Sequence, residues 1–361
     1  MNKYEKIRDI GKGNYGNTIL VRDKKNDHYV MKIINISQMT PKEKRQCLKE
    51  VELLSKLNHP FIVKYIESYI EGDTLRIVMK HCKGGDLYHY IQNKKKQNTP
   101  IKETRILIWL TQILTALKFL HSNHILHRGK ADAWVKLVQP AHKNRLQHAH
   151  KGILQNAYKG TPQNPHKSTL RHDHFPPVTD MKSLNILIDN DKRVRLCDFG
   201  ISKVLENTMD YANTLIGTPY YLSPELCKDK KYSWPSDVWA TGCLIYELAT
   251  FRTPFHSTKG IQQLCYNIRY APIPDLPNIY SKELNNIYKS MLIREPNYRA
   301  TVQQLLVSDI VQRQLKLLIE EKIREKQNMK RPLKEKPAAE NEGSGANEQE
   351  VKTLLLDVVD A

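Results

Sequence analysis

Two short segments constrain this chain more than any other: Asp180-Met181-Lys182-Ser183-Leu184-Asn185 and, thirteen residues past Asn185, Asp198-Phe199-Gly200. The first offers a carboxylate for a hydroxyl proton, a cation for a transferring phosphate and an amide oxygen for a metal ion. The second is a strand-ending Asp suited to Mg²⁺. Upstream, Gly11-Lys12-Gly13-Asn14-Tyr15-Gly16 lies between strand-like runs, where glycines let backbone amides close over phosphates with no Cβ in the way. A dinucleotide-binding fold needs such glycines to open a helix. Here a strand pattern follows instead, carrying Lys32 sixteen positions after Gly16. A lysine on such a strand pairs with α- and β-phosphates when a carboxylate from the next helix aligns it, and Glu50 is placed for that role. Downstream come Gly217-Thr218-Pro219, Ser223-Pro224-Glu225, Asp237-Val238-Trp239 and Arg299. Each piece is common alone; their order and spacing together are not.

The rest of the chain can house such a site. At 361 residues and 40% hydrophobic composition it buries a substantial core, which excludes a disordered, fibrous or disulfide-stapled chain, and its length predicts two domains or one two-lobed unit with a tail. Lys and Arg number 57 against 38 Asp and Glu, but they are spread along the chain. That pattern predicts a solvated basic surface rather than a nucleic-acid partner. The six cysteines form no C-x-x-C pair and read as reduced, intracellular thiols. The N-terminal residues are charged where a signal peptide is apolar, and no uncharged apolar run approaches the ~20 residues needed to span a bilayer. Cytosol or nucleus is the expected compartment, with no membrane partner.

Residues 4 to 34 alternate apolar and polar and predict antiparallel strands, followed by a helix from Pro41 to Leu57 and strands at Ile62 to Tyr69 and Thr74 to Met79. From Ile101 the period becomes helical, with further helices expected over Pro235 to Thr250 and Ser281 to Leu292. The expected divisions are a small β-rich lobe over 1–81, a larger helical lobe over 82–309, a charged helix over 310–333 and a disordered tail over 334–361. In the tail helix Val311, Leu315, Leu318 and Lys322 follow a near-heptad for about two heptads, short of the three or four a coiled coil needs, so a homodimer through 310–330 is the lesser expectation.

These motifs together resemble a eukaryotic protein kinase, and within it the NIMA-related (NEK) Ser/Thr family, over residues 1 to about 309. The run from Asp198 to Leu205, the run from Gly217 to Leu226 and the lysine at 182 carry that likeness. The resemblance implies an α+β, bilobal kinase fold that uses ATP and Mg²⁺, with Mn²⁺ as an alternative ion, to phosphorylate Ser/Thr in protein substrates in cell-cycle or meiotic signalling. It assigns Gly11, Lys12, Gly13 and Gly16 to the phosphates, Lys32 and Glu50 to their alignment, and Met79 and Lys80 to Cys82 to the gatekeeper and hinge. Asp180 and Lys182 are its catalytic pair, and Asn185 and Asp198 its metal ligands. By the same resemblance Thr214, with Thr218 nearby, is the activating position, phosphorylated by itself or by an upstream kinase, and its phosphate docks on Arg128. Glu225 pairs with Arg299, and Asp237 steadies the catalytic loop. Thr18 where Val is frequent and Lys80 where Glu is frequent are small departures.

One departure is large. His127-Arg128 is parted from Asp180 by 51 residues, Gly129 to Thr179, which hold six of the fourteen His and no Glu. Removing them joins Arg128 to Asp180 and restores an unbroken loop. The boundary codons admit a GT donor and an AG acceptor, and Phe175-Pro176-Pro177 admits a pyrimidine tract, so the segment reads as an intron carried into the frame. Two H-x-H pairs are the weaker argument for a zinc-binding insert, since they lack the usual spacing and any cysteine. A flexible loop of this length costs only about 3 to 4 kcal/mol in closure entropy, so the lobes can still fold. Catalysis is more fragile, and a catalytically impaired scaffold is the alternative function.

Overall fold

The computed structural model describes residues 3–13, 16–123, 181–197, 219–228 and 233–330; the segment 129–179 and the tail 334–361 lie outside the described residues. Strands β1 (Glu5–Gly13), β2 (Gly16–Arg22), β3 (His28–Asn35), β4 (Tyr65–Glu71) and β5 (Thr74–Lys80) form one antiparallel sheet in the order β1-β2-β3-β5-β4. Period-two alternation sorts its side chains. Ile19, Val21, Met31 and Val78 build a small cluster on one face, whereas Ile34, Leu75 and Ile77 join the main core on the other. Helix α1 (Pro41–Lys56) covers that second face with Cys47, Val51 and Leu54, and Thr40 and Glu43 close a capping box at its start. The strand expected from Ile62 begins only at Tyr65, because the preceding residues turn away to bond the other lobe. Val63 N–H donates to Leu196 O and Leu196 N–H to Phe61 O, both at 2.9 Å.

The helical lobe is organised around α3 (Glu103–Ser122) and α4 (Trp234–Thr250), each apolar nearly all round and buried accordingly. Ile106, Leu110, Ile113, Leu114, Leu117 and Leu120 of α3 are all fully buried, as their spacing predicts. Around them pack α2 (Leu87–Lys96), α5 (Ile261–Tyr270), α6 (Lys282–Met291), α7 (Val302–Leu306) and α8 (Asp309–Lys330). The apolar pattern of the sequence does not mark α2, α5 and α7, and the reason is physical. They bury only Leu87 and Ile91, Leu264 and Ile268, and Val302, Leu305 and Leu306, too few contacts to impose a period over a useful window.

The charged helix expected after 309 is α8. Ile310, Val311, Leu315, Leu318 and Ile319 are buried, and α8 packs along α3 and α7. The stripe that resembled a dimer seam is occupied within the chain, so this is a structural helix of the lobe rather than a solvent-facing one. Arg193 Nη2 lies 3.5 Å from Glu321 Oε2, and Arg313 Nη2 lies 2.6 Å from Glu283 Oε2.

Candidate active site between the lobes

The sheet sets the upper wall. Lys32 on β3 stands opposite Thr18 of β2 and Ile77 of β5, so it shares the inward face with Ile34 and Ile77 rather than that of Met31. Glu50 lies on α1, three residues after Cys47 and four before Leu54. Gly13 pairs with Gly16 where β1 turns into β2, and Gly11 pairs with Thr18 beyond a bulge. A Cβ built at Gly11 meets nothing within 4 Å, so this edge of the hairpin borders open space.

Met79 and Lys80 end β5 and lead into Cys82, which is buried; that burial pushes its thiol up to about 11. Lys80 explains itself through the opposite lobe. Its Nζ donates to Asp189 Oδ2 at 3.0 Å, and Arg195 Nε donates to the same oxygen at 2.8 Å. Asp189 is buried, and although burial opposes its charge, the Asn190 amide and the two cations hold its pKa below the ordinary value. A glutamate at 80 would face this carboxylate with a like charge.

Just beyond the hinge, Gly84 N–H donates to Ile188 O at 2.9 Å and Ile188 N–H donates to Gly85 O at 2.8 Å. A Cβ on Gly84 would come within 2.7 Å of Ile188 O, so only glycine lets the hinge lie this close to the lower lobe. That lower wall is the hairpin of β6 (Ile186–Ile188) and β7 (Val194–Leu196). Helix α3 fixes it: Gln112 Oε1 accepts from Val194 N–H, and Trp109 Nε1 donates to Lys192 O, each at 2.9 Å.

Lys182 and Asn185 sit at the entry to β6, where Ser183–Asn185 forms a single 3-10 turn. Cys197 N–H donates to Asn185 O at 3.0 Å and its thiol to the same oxygen at 3.2 Å, so the residue before Asp198 is tied to Asn185. Ser183 reaches downward to Tyr221 and Glu247. Ser183 Oγ lies 3.0 Å from Tyr221 Oη and donates to Glu247 Oε1 at 3.4 Å, while Tyr221 Oη donates to Glu247 Oε2. No local pattern marks Tyr221 or Glu247 for this role, because Ser183 and Glu247 stand 64 residues apart.

Two further pairs hold the floor. Asp237, fully buried at the start of α4, is 2.9 Å from His121 Nε2 at the end of α3. Arg299 reaches Glu225 through both ends of its guanidinium, while Ser236 Oγ donates to Glu225 Oε1 at 2.7 Å. Arg128, Asp180, Asp198, Thr214 and Thr218 lie outside the described residues. Of the described ones, Lys32 and the glycine hairpin belong to the sheet, Met79 to Cys82 to its exit toward the second lobe, and Lys182 and Asn185 to the entry of β6.

The family model for the protein kinase domain matches residues 4–129 and 171–311, and its interruption falls within the segment 129–179. Serine/threonine-protein kinase Nek4 of Mus musculus is 35% identical over 316 residues, 87% of this chain and 33% of that protein. Nek1 of Mus musculus is 34% identical over 87% of this chain and 22% of its own length, and the probable serine/threonine-protein kinase nek3 of Dictyostelium discoideum 34% identical over 85% and 23%. The chain therefore spans a third or less of the length of these relatives. With its five-stranded antiparallel lobe set against a helical lobe, the chain belongs to the protein kinase family, and its similarity runs to NIMA-related kinases.

Proposed function

We propose that this chain is a protein serine/threonine kinase that moves the γ-phosphoryl group of Mg²⁺-ATP to Ser/Thr hydroxyls. The observation that carries the reading is the hinge itself, where Gly84 and Gly85 bond Ile188 of the lower hairpin, with Lys32 on the inward row of β3 in one lobe and Lys182 and Asn185 at the entry to β6 in the other. The open edge at Gly11 and the close hinge at Gly84 suit a nucleotide laid between them. ATP supplies the phosphoryl group, and Mg²⁺, or Mn²⁺ in its place, offsets the charge of its oxygens.

The residues divide the remaining work. Backbone amides at Gly11, Lys12, Gly13 and Gly16 cover the phosphates, and Lys32, aligned by Glu50, pairs with them. Asp180 orients the substrate hydroxyl and takes its proton, while Lys182 balances charge beside it. Asn185 and Asp198 hold the metal. Thr214, with Thr218 near it, and Arg128 supply activation through a charge-assisted contact. Resemblance to the NIMA-related family supports protein substrates in cell-cycle or meiotic signalling, in the cytosol or nucleus. Among the described residues no helix is long and apolar enough to cross a membrane.

The interruption favours a second reading, a kinase fold that binds nucleotide without transferring phosphate. Arg128 and Asp180 must hold neighbouring positions, and a displacement of about 1 Å costs on the order of 100-fold in rate. Phosphate transfer from labelled ATP to a mixed Ser/Thr substrate, measured for the full chain and for the chain lacking 129–179, separates the two. The shortened chain transfers at least ~100-fold faster and loses that activity in a Lys32→Met variant. Nucleotide binding without transfer in the shortened chain would sink the enzyme reading and leave the scaffold.

A further inference from the structure

The hinge is pinned to the lower lobe at both ends of a short arc. At its far end Gly84 N–H donates to Ile188 O, and Ile188 N–H donates to Gly85 O. At its near end Lys80 Nζ donates to Asp189 Oδ2 at 3.0 Å, one residue beyond Ile188. Asp189 is built into the lower hairpin. Its N–H donates to Arg193 O at 2.8 Å and Lys192 N–H donates to Asp189 O at 3.0 Å, which closes the turn between β6 and β7. Asn190 N–H donates to Asp189 Oδ1 at 2.8 Å. The carboxylate is 4% exposed, so its charge leans on two cations rather than on water. The second cation, Arg195, shares Oδ2 and also donates through Nη1 to Pro60 O, ahead of β4. Lys80 N–H donates to Lys64 O at 2.9 Å on that same approach. One buried carboxylate thus fixes the exit of β5 and, through Arg195, the entry to β4.

We propose that Lys80 is a positioning residue for the nucleotide: its bond to Asp189 seats the arc from Lys80 to Gly85 on the lower hairpin, so that the hinge backbone is set for the base of a bound adenine nucleotide. The proposal rests on the reading that the cleft takes Mg²⁺-ATP. The role is indirect, because the ammonium is engaged with Asp189 and acts on a ligand only through the backbone it holds. The sign of the charge matters. A cation at 80 suits a buried carboxylate at 189, whereas an anion there would push the near end of the arc off its seat. The strength is bounded as well. Lys80 is 43% exposed, so the tie is a partly screened ion pair and moves an equilibrium by a few-fold rather than by orders of magnitude.

The test uses the whole chain, since an active kinase and a silent scaffold both bind nucleotide. Calorimetric titration with Mg²⁺-ATP and, separately, with adenosine gives Kd for wild type, Lys80→Ala and Lys80→Arg. Lys80→Ala weakens both ligands by the same factor, about 3- to 5-fold, and Lys80→Arg binds as wild type does. Amide hydrogen exchange in the ligand-free Lys80→Ala chain speeds up by a similar factor at Gly84 and Ile188, but not at Leu196, which bonds Phe61 O. Lys289→Ala breaks an ion pair of similar exposure, 41%, in α6 and changes none of these readings. A loss of ATP binding with adenosine unaffected would place the effect of Lys80 on the phosphates and overturn the proposal. Unchanged exchange at Gly84 and Ile188 overturns it too. A wild-type chain that binds neither ligand, with exchange at Gly84 still faster in Lys80→Ala, removes the nucleotide reading, and the positioning role with it, while the tie itself stands.

Discussion

Arg299 grips Glu225 with two parallel hydrogen bonds, Nη1 to Oε1 and Nη2 to Oε2, both at 2.9 Å, in a site where the guanidinium has no solvent exposure and the carboxylate 4%. The same guanidinium lies 5.1 Å above the Trp239 ring and donates through Nε to Ile293 O at 2.8 Å. One side chain thus ties the end of the 219–228 segment to α4 and to the loop before α7. A buried bidentate pair with its remaining donors satisfied is costly to break, because the surviving charge has no water to turn to.

Arg299→Ala is therefore expected to cost about 3 to 5 kcal/mol, and Arg299→Lys most of that, since lysine lacks the fork. Although burial opposes its charge, the arginine holds Glu225 below its ordinary pKa of 4.5. A lowered acid pKa contributes stability above 4.5 that is lost as pH falls through the folded value. Denaturant melts of wild type and Glu225→Gln over pH 3 to 7 check this: the gap between them narrows toward acid.

Glu247 runs the other way. Burial raises its pKa above 4.5, against the hydrogen bonds from Tyr221 and Ser183. The folded chain binds its proton more readily than the unfolded chain does, so this group's contribution falls as pH rises above 4.5. Glu247→Gln keeps an acceptor and removes the buried charge. Its thermal midpoint should equal or exceed that of wild type at pH 7 and lose the advantage below pH 4.5. A midpoint well below wild type at pH 7 would show that the carboxylate itself is needed.

The hinge predicts an asymmetry between two substitutions at one position. Lys80→Ala removes one of two cations on Asp189 and should cost about 1 kcal/mol, because the lysine is partly exposed and Arg195 remains. Lys80→Glu sets a like charge against a buried carboxylate and should cost clearly more. Restoration of the loss by Asp189→Asn in the same chain, read as a double-mutant cycle, is the check.

The tail helix supplies a separation of roles. Leu315→Ala removes a side chain that is 1% exposed and should cost about 2 to 5 kcal/mol. Its sedimentation coefficient should match that of wild type across concentration. A variant of unchanged stability whose oligomeric state shifts would return this stripe to a dimer seam.

The proposed site can be read from the sequence because its chemistry lies in short contiguous runs. The glycines between two strand patterns, the lysine on the third strand and the segment from Asp180 to Asn185 each carry a local rule, and local rules survive in a string of residues. α1 and α3 were legible for a related reason: their inward rows repeat every three or four residues over four turns or more. Short helices with two buried residues lack that repetition.

What the sequence by itself determined was the type and order of the strands and of the longer helices, and the family of fold its motifs belong to, since backbone period and motif spacing are properties of neighbours along the chain. Only the tertiary structure decided which distant groups meet. Lys80 with Asp189, Ser183 with Glu247, and the docking of α8 on α3 are contacts between residues 64 to 109 positions apart, or between whole helices. No local propensity encodes them; they arise when burial of the helical core fixes the elements against one another, and burial is what gives the charges they bring together their altered chemistry.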